Sequence, residues 1–256
     1  MADIDPPSLS DPARALANYP VIALERSQLA THVGFDGRDI RSRPFKLLRT
    51  QLTKSLAGRE ARLIGITSTA PAAGKSFLSL NLAASLAQVS EHPVHLVDLD
   101  LRRASLAEQL GFTVHTGVDA FLRGEAHQLE DVGHRIEGIP LVVFPTKQVA
   151  TRSEEHVAGP QFSRLVQLLR QQSDGGIVIF DLPPVFASDD AMICIGALDG
   201  YVMIVDSGKT SRRQLTEAIE MLRPSPFLGS VLNRYKGGLL DTYGYYSHAY
   251  DRYYGG

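Results

Sequence analysis

The residues of this chain best suited to chemistry begin with Thr67-Ser68-Thr69-Ala70-Pro71-Ala72-Ala73-Gly74-Lys75-Ser76, a run of small residues between an apolar segment and an amphipathic one. A loop of this kind at a helix N-terminus turns its N–H groups onto phosphate. Gly74 lets the backbone come close, Lys75 neutralises phosphoryl oxygens, and the Ser76 hydroxyl reaches a divalent cation. The common phosphate-loop pattern has glycine where Thr69 stands, so the string is a partial match. Further on, Leu96-Val97-Asp98-Leu99-Asp100 ends the next apolar run, and alternation along an extended chain puts Asp98 and Asp100 on one side at its edge. Asp181 ends a third run, Ile177-Val178-Ile179-Phe180. Magnesium takes hard oxygen ligands and keeps some water, so one hydroxyl with one or two of these carboxylates is a fitting ligand set. A strand-end aspartate can also do no more than cap the turn that follows it, but three such acids with Gly-Lys-Ser favour the metal reading. Six of the nine tyrosines (Tyr243, Tyr245, Tyr246, Tyr250, Tyr253 and Tyr254) crowd the end of the chain. They are either hydroxyl acceptors or part of a sticky, Tyr/Gly-rich interaction segment.

The elements that must position these groups follow from periodicity. Short apolar runs predict strands over 63–67, 94–97, 141–144, 177–180, 201–205 and 227–232. Helical spacing of apolar residues predicts helices over 45–56, 75–89, 162–172 and 211–222. Continuously apolar strands alternating with amphipathic helices imply an α/β fold of the P-loop NTPase kind: a mostly parallel sheet with helices on both faces and a flexible C-terminal tyrosine-rich tail. Ligands of such sheets bind at the strand C-termini, where the loop and the three aspartates fall. Residues 1–42, rich in Pro, Ser, Asp and Arg, read as a partly disordered, poorly anchored extension with one short helix. Residues 43–238 form the domain, and 239–256 the tail.

The bulk composition narrows the function classes. The chain has 256 residues, 44% of them hydrophobic, and its 26 basic and 28 acidic side chains leave a net charge of −2, without the electrostatic bias of a nucleic-acid binder. A single cysteine, Cys194, excludes an internal disulfide framework and paired-cysteine metal sites. The eight histidines lack metal-ligand spacing. No apolar stretch reaches the roughly 18 residues of a membrane span, and the first residues are acidic where a signal peptide is basic. A soluble cytoplasmic protein is expected.

The sequence resembles the bacterial tyrosine kinases (BY-kinases) of capsular and exopolysaccharide systems. The resemblance rests on Ser68-x-x-Pro71-x-x-Gly74-Lys75-Ser76, on apolar-Asp98-x-Asp100-x-Arg102, on apolar-Asp181-Leu182-Pro183-Pro184 and on the terminal tyrosine cluster. It runs from roughly residue 40 to the end. Gly117-Val118 through Gly124-Glu125, Ser153-Glu154, Gly208-Lys209-Thr210 and Val231-Leu232-Asn233-Arg234 are similar too. Relatives that partition chromosomes carry an additional lysine where this chain has Ala70. The resemblance implies an ATP- and Mg²⁺-dependent tyrosine autokinase. Pro71, Ala72, Ala73, Gly74, Lys75, Ser76 and Phe77 would bind the nucleotide, with Asn233 at the adenine. Ser76, Asp98 and Asp181 would hold Mg²⁺, Asp100 would act on the incoming hydroxyl, and the six tyrosines would accept phosphate. It also implies a separate transmembrane activator of a polysaccharide system that recruits the chain to the inner face of the plasma membrane, and sugar-nucleotide enzymes as further substrates.

Two departures stand out. The family usually has glycine at Ala72. Its helical oligomerisation motif, Glu-x-x-Arg-x-x-Arg, aligns with Arg43, Lys46 and Arg49, so that a base replaces the acid and a homo-oligomer would need an atypical interface. They motivate an alternative reading, a nucleotide-binding scaffold of the same machinery that transfers little phosphate.

Overall fold

The structure is a computed structural model that describes residues 16–236 apart from 59, 61 and 174. The tyrosine cluster and the tail assigned to 239–256 lie outside the described residues. Along the chain come β1 (Val21–Ile22), α1 (Arg26–Thr31), α2 (Arg43–Leu56), β2 (Leu63–Ser68), α3 (Lys75–Ala87) and β3 (Val94–Asp98). There follow α4 (Leu106–Leu110), α5 (Val118–Leu122), β4 (His134–Ile136), β5 (Leu141–Phe144), α6 (Ser153–Val157) and α7 (Pro160–Gln172). The last are β6 (Val178–Asp181), α8 (Asp190–Gly196), β7 (Gly200–Asp206), α9 (Arg212–Met221) and β8 (Phe227–Asn233).

The strands form one eight-stranded sheet in the order β1-β4-β5-β3-β6-β2-β7-β8. Its pairings are parallel except β4 with β5. The central strands are buried at every residue, which is why they read as unbroken apolar runs rather than alternating ones. Successive side chains feed opposite cores. Val178 and Phe180 join the cluster beneath α7 and α8, while Ile179 joins the one under α3. Helix α3 is buried nearly all round because the sheet covers one side and α2 with residues 33–35 the other. On α2, Leu52 and Leu56 are buried, with Phe45 and Leu48 packed against the same cluster. No helix among the described residues is long and apolar enough to cross a membrane.

The topology places the chemistry. The chain leaves β2 through the phosphate-loop segment and α3 and returns as β3, one place beyond β6, so β3, β6 and β2 lie side by side. Asp98 and Asp181 are register partners across β3 and β6, and Asp181 pairs with Ile66 of β2. The C-terminal edge of three adjacent strands therefore carries Asp98, Asp181 and the loop in a row.

The predicted strands and long helices agree with the observed ones to within two residues at each end. The arm differs from its expectation over residues 16–42. β1 adds in parallel to β4, Tyr19 packs edge-on against Phe144 with ring centroids 6.0 Å apart, and its hydroxyl donates to Gln172 Oε1 at 2.6 Å. Gly34 N donates to Asn81 Oδ1 at 2.8 Å, while Gln88 Nε2 donates to Gly34 O at 2.8 Å. The segment is held through its backbone by polar groups of α3, a kind of anchoring that apolar periodicity does not register.

Candidate nucleotide site

Loop 69–74 carries the chain from the end of β2 into α3, with Gly74 as the residue before the helix at φ 91°. That left-handed conformation suits glycine, and a side chain there would collide with the Asn233 amide. Ser68 Oγ closes the start of the loop by donating to Ala70 O at 2.7 Å, and Thr67 Oγ1 fastens the end of β2 to Pro183 O at 2.7 Å. The first amides of α3, free of helical partners, point into the concavity.

Ala72 is also left-handed, at φ 59°. For a residue with a Cβ this costs about 1–2 kcal/mol. Two consecutive side chains from the end of β8 brace the strained turn. Asn233 Nδ2 donates to Ala73 O at 2.8 Å, and Arg234 Nη1 donates to Ala72 O at 2.7 Å. Arg234, itself at φ 57°, is held in turn by Asp206 Oδ2 at 2.9 Å, at the end of β7. With both carbonyls drawn toward β8, the family's glycine is not required for this turn: Ala72 adopts the conformation and Arg234 restrains it.

Lys75 is 6% exposed, and its Nζ lies 3.5 Å from Asp100 Oδ2, whose side chain is equally buried. Asp98 and Asp181 lie deeper. Burial first, then the neighbouring Asp181 charge, raises the Asp98 carboxyl well above the usual carboxylate range. Asp181 is pushed up to about 6 by burial, against the opposing pull of Lys75 and of the Ser76 hydroxyl. The two carboxylates differ in their partners. Asp98 accepts the backbone N–H groups of Asp100 (3.3 Å), Ser105 (3.2 Å) and Leu106 (3.3 Å), the turn-capping use open to any strand-end aspartate. Asp181 accepts from Ser79 Oγ at 3.1 Å through Oδ1, while its buried Oδ2 has no hydrogen-bond partner. A buried carboxylate oxygen without a donor, beside the Ser76 hydroxyl, fits a hard divalent cation. Among the described residues no three His, Cys, Asp or Glu side chains gather around a common metal position, so such a cation would draw further ligands from water and phosphate.

A cavity of about 290 Å³ opens above the loop. Pro71, Ala72, Gly74, Lys75, Ser76 and Phe77 form one wall. Asp100, Arg103, Ser105 and Gln109 form another, with Pro184 and Arg234 at the rim. Ala73 is turned into the core, and Asn233 stands behind Gly74. Arg103, Gln109, Arg234 and Ser79 are not among the residues expected from the sequence. Arg234 follows Asn233 in the segment Val231-Leu232-Asn233-Arg234, whereas Ser79 and Gln109 carry no sequence signal, since only helix packing aims them here.

No protein-family model matches the chain. It is 29% identical over 207 residues to tyrosine-protein kinase CpsD of Streptococcus agalactiae, covering 80% of this chain and 87% of that one. It is also 29% identical to the succinoglycan biosynthesis transport protein ExoP of Rhizobium meliloti, over 82% of this chain and 28% of that longer one. The crystal structure of the VpsO kinase domain superposes with a TM-score of 0.67 at 26% identity, over 82% of this chain and 97% of that one. Over most of its length in sequence, and in its fold, the chain is similar to bacterial tyrosine kinases and their kinase domains.

Proposed function

We propose that the chain is an ATP- and Mg²⁺-dependent protein-tyrosine kinase that phosphorylates its own terminal tyrosines and thereby regulates polymerisation or export of an extracellular polysaccharide. The observation that carries this reading is the Lys75–Asp100 pair standing at the loop over the unsatisfied Asp181 Oδ2. It fits phosphoryl transfer, in which alignment and charge neutralisation do most of the work.

Ser76 and Asp181 would hold Mg²⁺, with Asp98 beside them fixing the strand end. The ion supplies charge neutralisation at the β and γ phosphates. Loop amides between Ala72 and Ser76 bind phosphate oxygens, and Arg234 and Asn233 keep the carbonyls out of their way. Lys75 moves its Nζ from Asp100 to the phosphate, leaving Asp100 free to accept the tyrosine proton. The tyrosine oxygen then bonds to the γ phosphorus, the bond from that phosphorus to the bridging oxygen breaks, and ADP leaves. Tyr243, Tyr245, Tyr246, Tyr250, Tyr253 and Tyr254 are the acceptors in this account.

ExoP is named for polysaccharide transport. That supports a transmembrane activator of such a system as the partner, recruitment to the inner membrane face, and sugar-nucleotide enzymes as additional substrates. Lys46 Nζ donates to Gly37 O and Arg49 Nη1 to Ser85 O at 2.9 Å, so two positions of the oligomerisation motif serve their own chain. A homo-oligomer would therefore use a different contact. The scaffold reading has two motives, Ala72 and the changed Arg43–Arg49 motif; the left-handed conformation of Ala72 and its Arg234 brace weaken the first. Incubation with ATP labelled at the γ phosphate tests the kinase: the account expects Mg²⁺-dependent, alkali-stable label on tyrosine that is lost with EDTA and in Asp100→Asn. Nucleotide binding without transfer, with the activator present, would favour the scaffold.

A further inference from the structure

Outside the nucleotide site, the most asymmetric surface is the outer face of α2 and the turn before it. Residues 38–54 hold six Lys and Arg against a single acid, Asp39, in a chain whose overall net charge is −2. The cations are interleaved with two strongly exposed apolar side chains, Ile40 at 70% and Leu47 at 58%. Arg43, Leu47, Thr50 and Lys54 follow one another at helical spacing and are all exposed, opposite the stripe of Phe45, Leu48, Leu52 and Leu56 that packs on the core. Lys46 and Arg49 are bonded to backbone oxygens of their own chain, and Arg41 is paired with Asp39, so these three add to the face without extending from it.

We propose that this face is a docking surface for an anionic lipid bilayer, with Ile40 and Leu47 entering the headgroup region and Arg38 and Lys54 lying over acidic headgroups. Charge complementarity selects the occupant. A convex helix face offers no groove for a peptide, whereas a planar array of negative headgroups requires no directional acceptors. Long cationic stems flanking isolated aliphatic side chains are the pattern of interfacial helices. Each such cation contributes about 1 kcal/mol near an anionic membrane. The inference does not depend on kinase activity.

Cosedimentation of the full chain with phosphatidylglycerol–phosphatidylcholine vesicles and with pure phosphatidylcholine vesicles tests it. The chain is expected to pellet with the first and not the second, and to be released as salt rises. Combined Arg38→Glu and Lys54→Glu should weaken binding at least about thirtyfold, and Leu47→Ser should weaken it with all charges intact. Equal retention by both vesicle types, or undiminished binding of the charge-reversed chain, overturns the proposal. Binding to soluble polyglutamate but to neither vesicle also overturns it, assigning the face to an acidic protein.

Discussion

Lys75 Nζ and Asp100 Oδ2 face each other at 3.5 Å with each side chain only 6% exposed, so the lysine proposed to serve phosphate has a carboxylate partner inside its own chain. Removing one member of a buried pair strands the other charge, at about 3–5 kcal/mol. Lys75→Met alone and Asp100→Asn alone are expected to lower the urea midpoint strongly, and the double variant to recover much of the loss. Additive losses in the double variant would show that the two groups are not coupled.

Asp181 gives the opposite sign. Its folded carboxyl titrates at about 6, above its unfolded value, so whatever it adds to stability is present at acid pH and lost as pH rises through 6. Ionised at pH 8 without a cation, it costs on the order of 2–3 kcal/mol. Asp181→Asn should therefore stabilise the nucleotide-free chain at pH 8 and abolish the further stabilisation that Mg-ATP gives the parent. Urea melts with and without Mg-ATP measure both effects, and a destabilised free variant would refute the assignment.

The Arg234 brace predicts a dependence on its neighbour. Arg234→Ala removes the donor to Ala72 O, and the left-handed alanine must then hold its conformation unaided. Nucleotide affinity should fall about tenfold, and by clearly less in the Ala72→Gly background, where the conformation carries little strain. Calorimetric titration of the four proteins reads the coupling. Equal losses in both backgrounds would show that Arg234 acts elsewhere.

His95 sets part of the acid limb. It is fully buried on β3, and burial holds its pKa down at about 4. The unfolded chain thus takes up this proton first, so stability is intact above the ordinary histidine pKa and drains as pH falls toward 4. Relative to His95→Gln, the parent should lose about 2 kcal/mol more between pH 7 and pH 5. Parallel losses in the two proteins would contradict the burial argument.

Much of this was readable in advance for physical reasons. Strands such as Val178–Asp181 are buried on both faces, so their apolar runs are unbroken, and the strand-ending aspartates stand out against them. Gly74-Lys75-Ser76 was legible as the entry to a helix because a left-handed turn there restricts residue type to glycine, and Gly74 stands before α3 at φ 91°. Strand β4, a three-residue segment starting at His134, is too short and polar to show a period. Anchoring of residues 16–42 depends on Asn81, Gln88 and Gln172, whose side chains reach across the fold with no local pattern. The different uses of Asp98 and Asp181 were hidden as well, since both end a strand and only the following turn decides whose oxygens are occupied.

The central claim is that phosphate from ATP ends on the terminal tyrosines through Lys75 and Asp100. Intact-mass spectrometry of the chain isolated from the cells that naturally make it, where any activator is present, tests it most directly. The parent should carry one or more added phosphates. The Lys75→Met chain and a chain with Phe at Tyr243, Tyr245, Tyr246, Tyr250, Tyr253 and Tyr254 should carry none. Phosphate persisting in either variant, or an unmodified parent, would contradict the account.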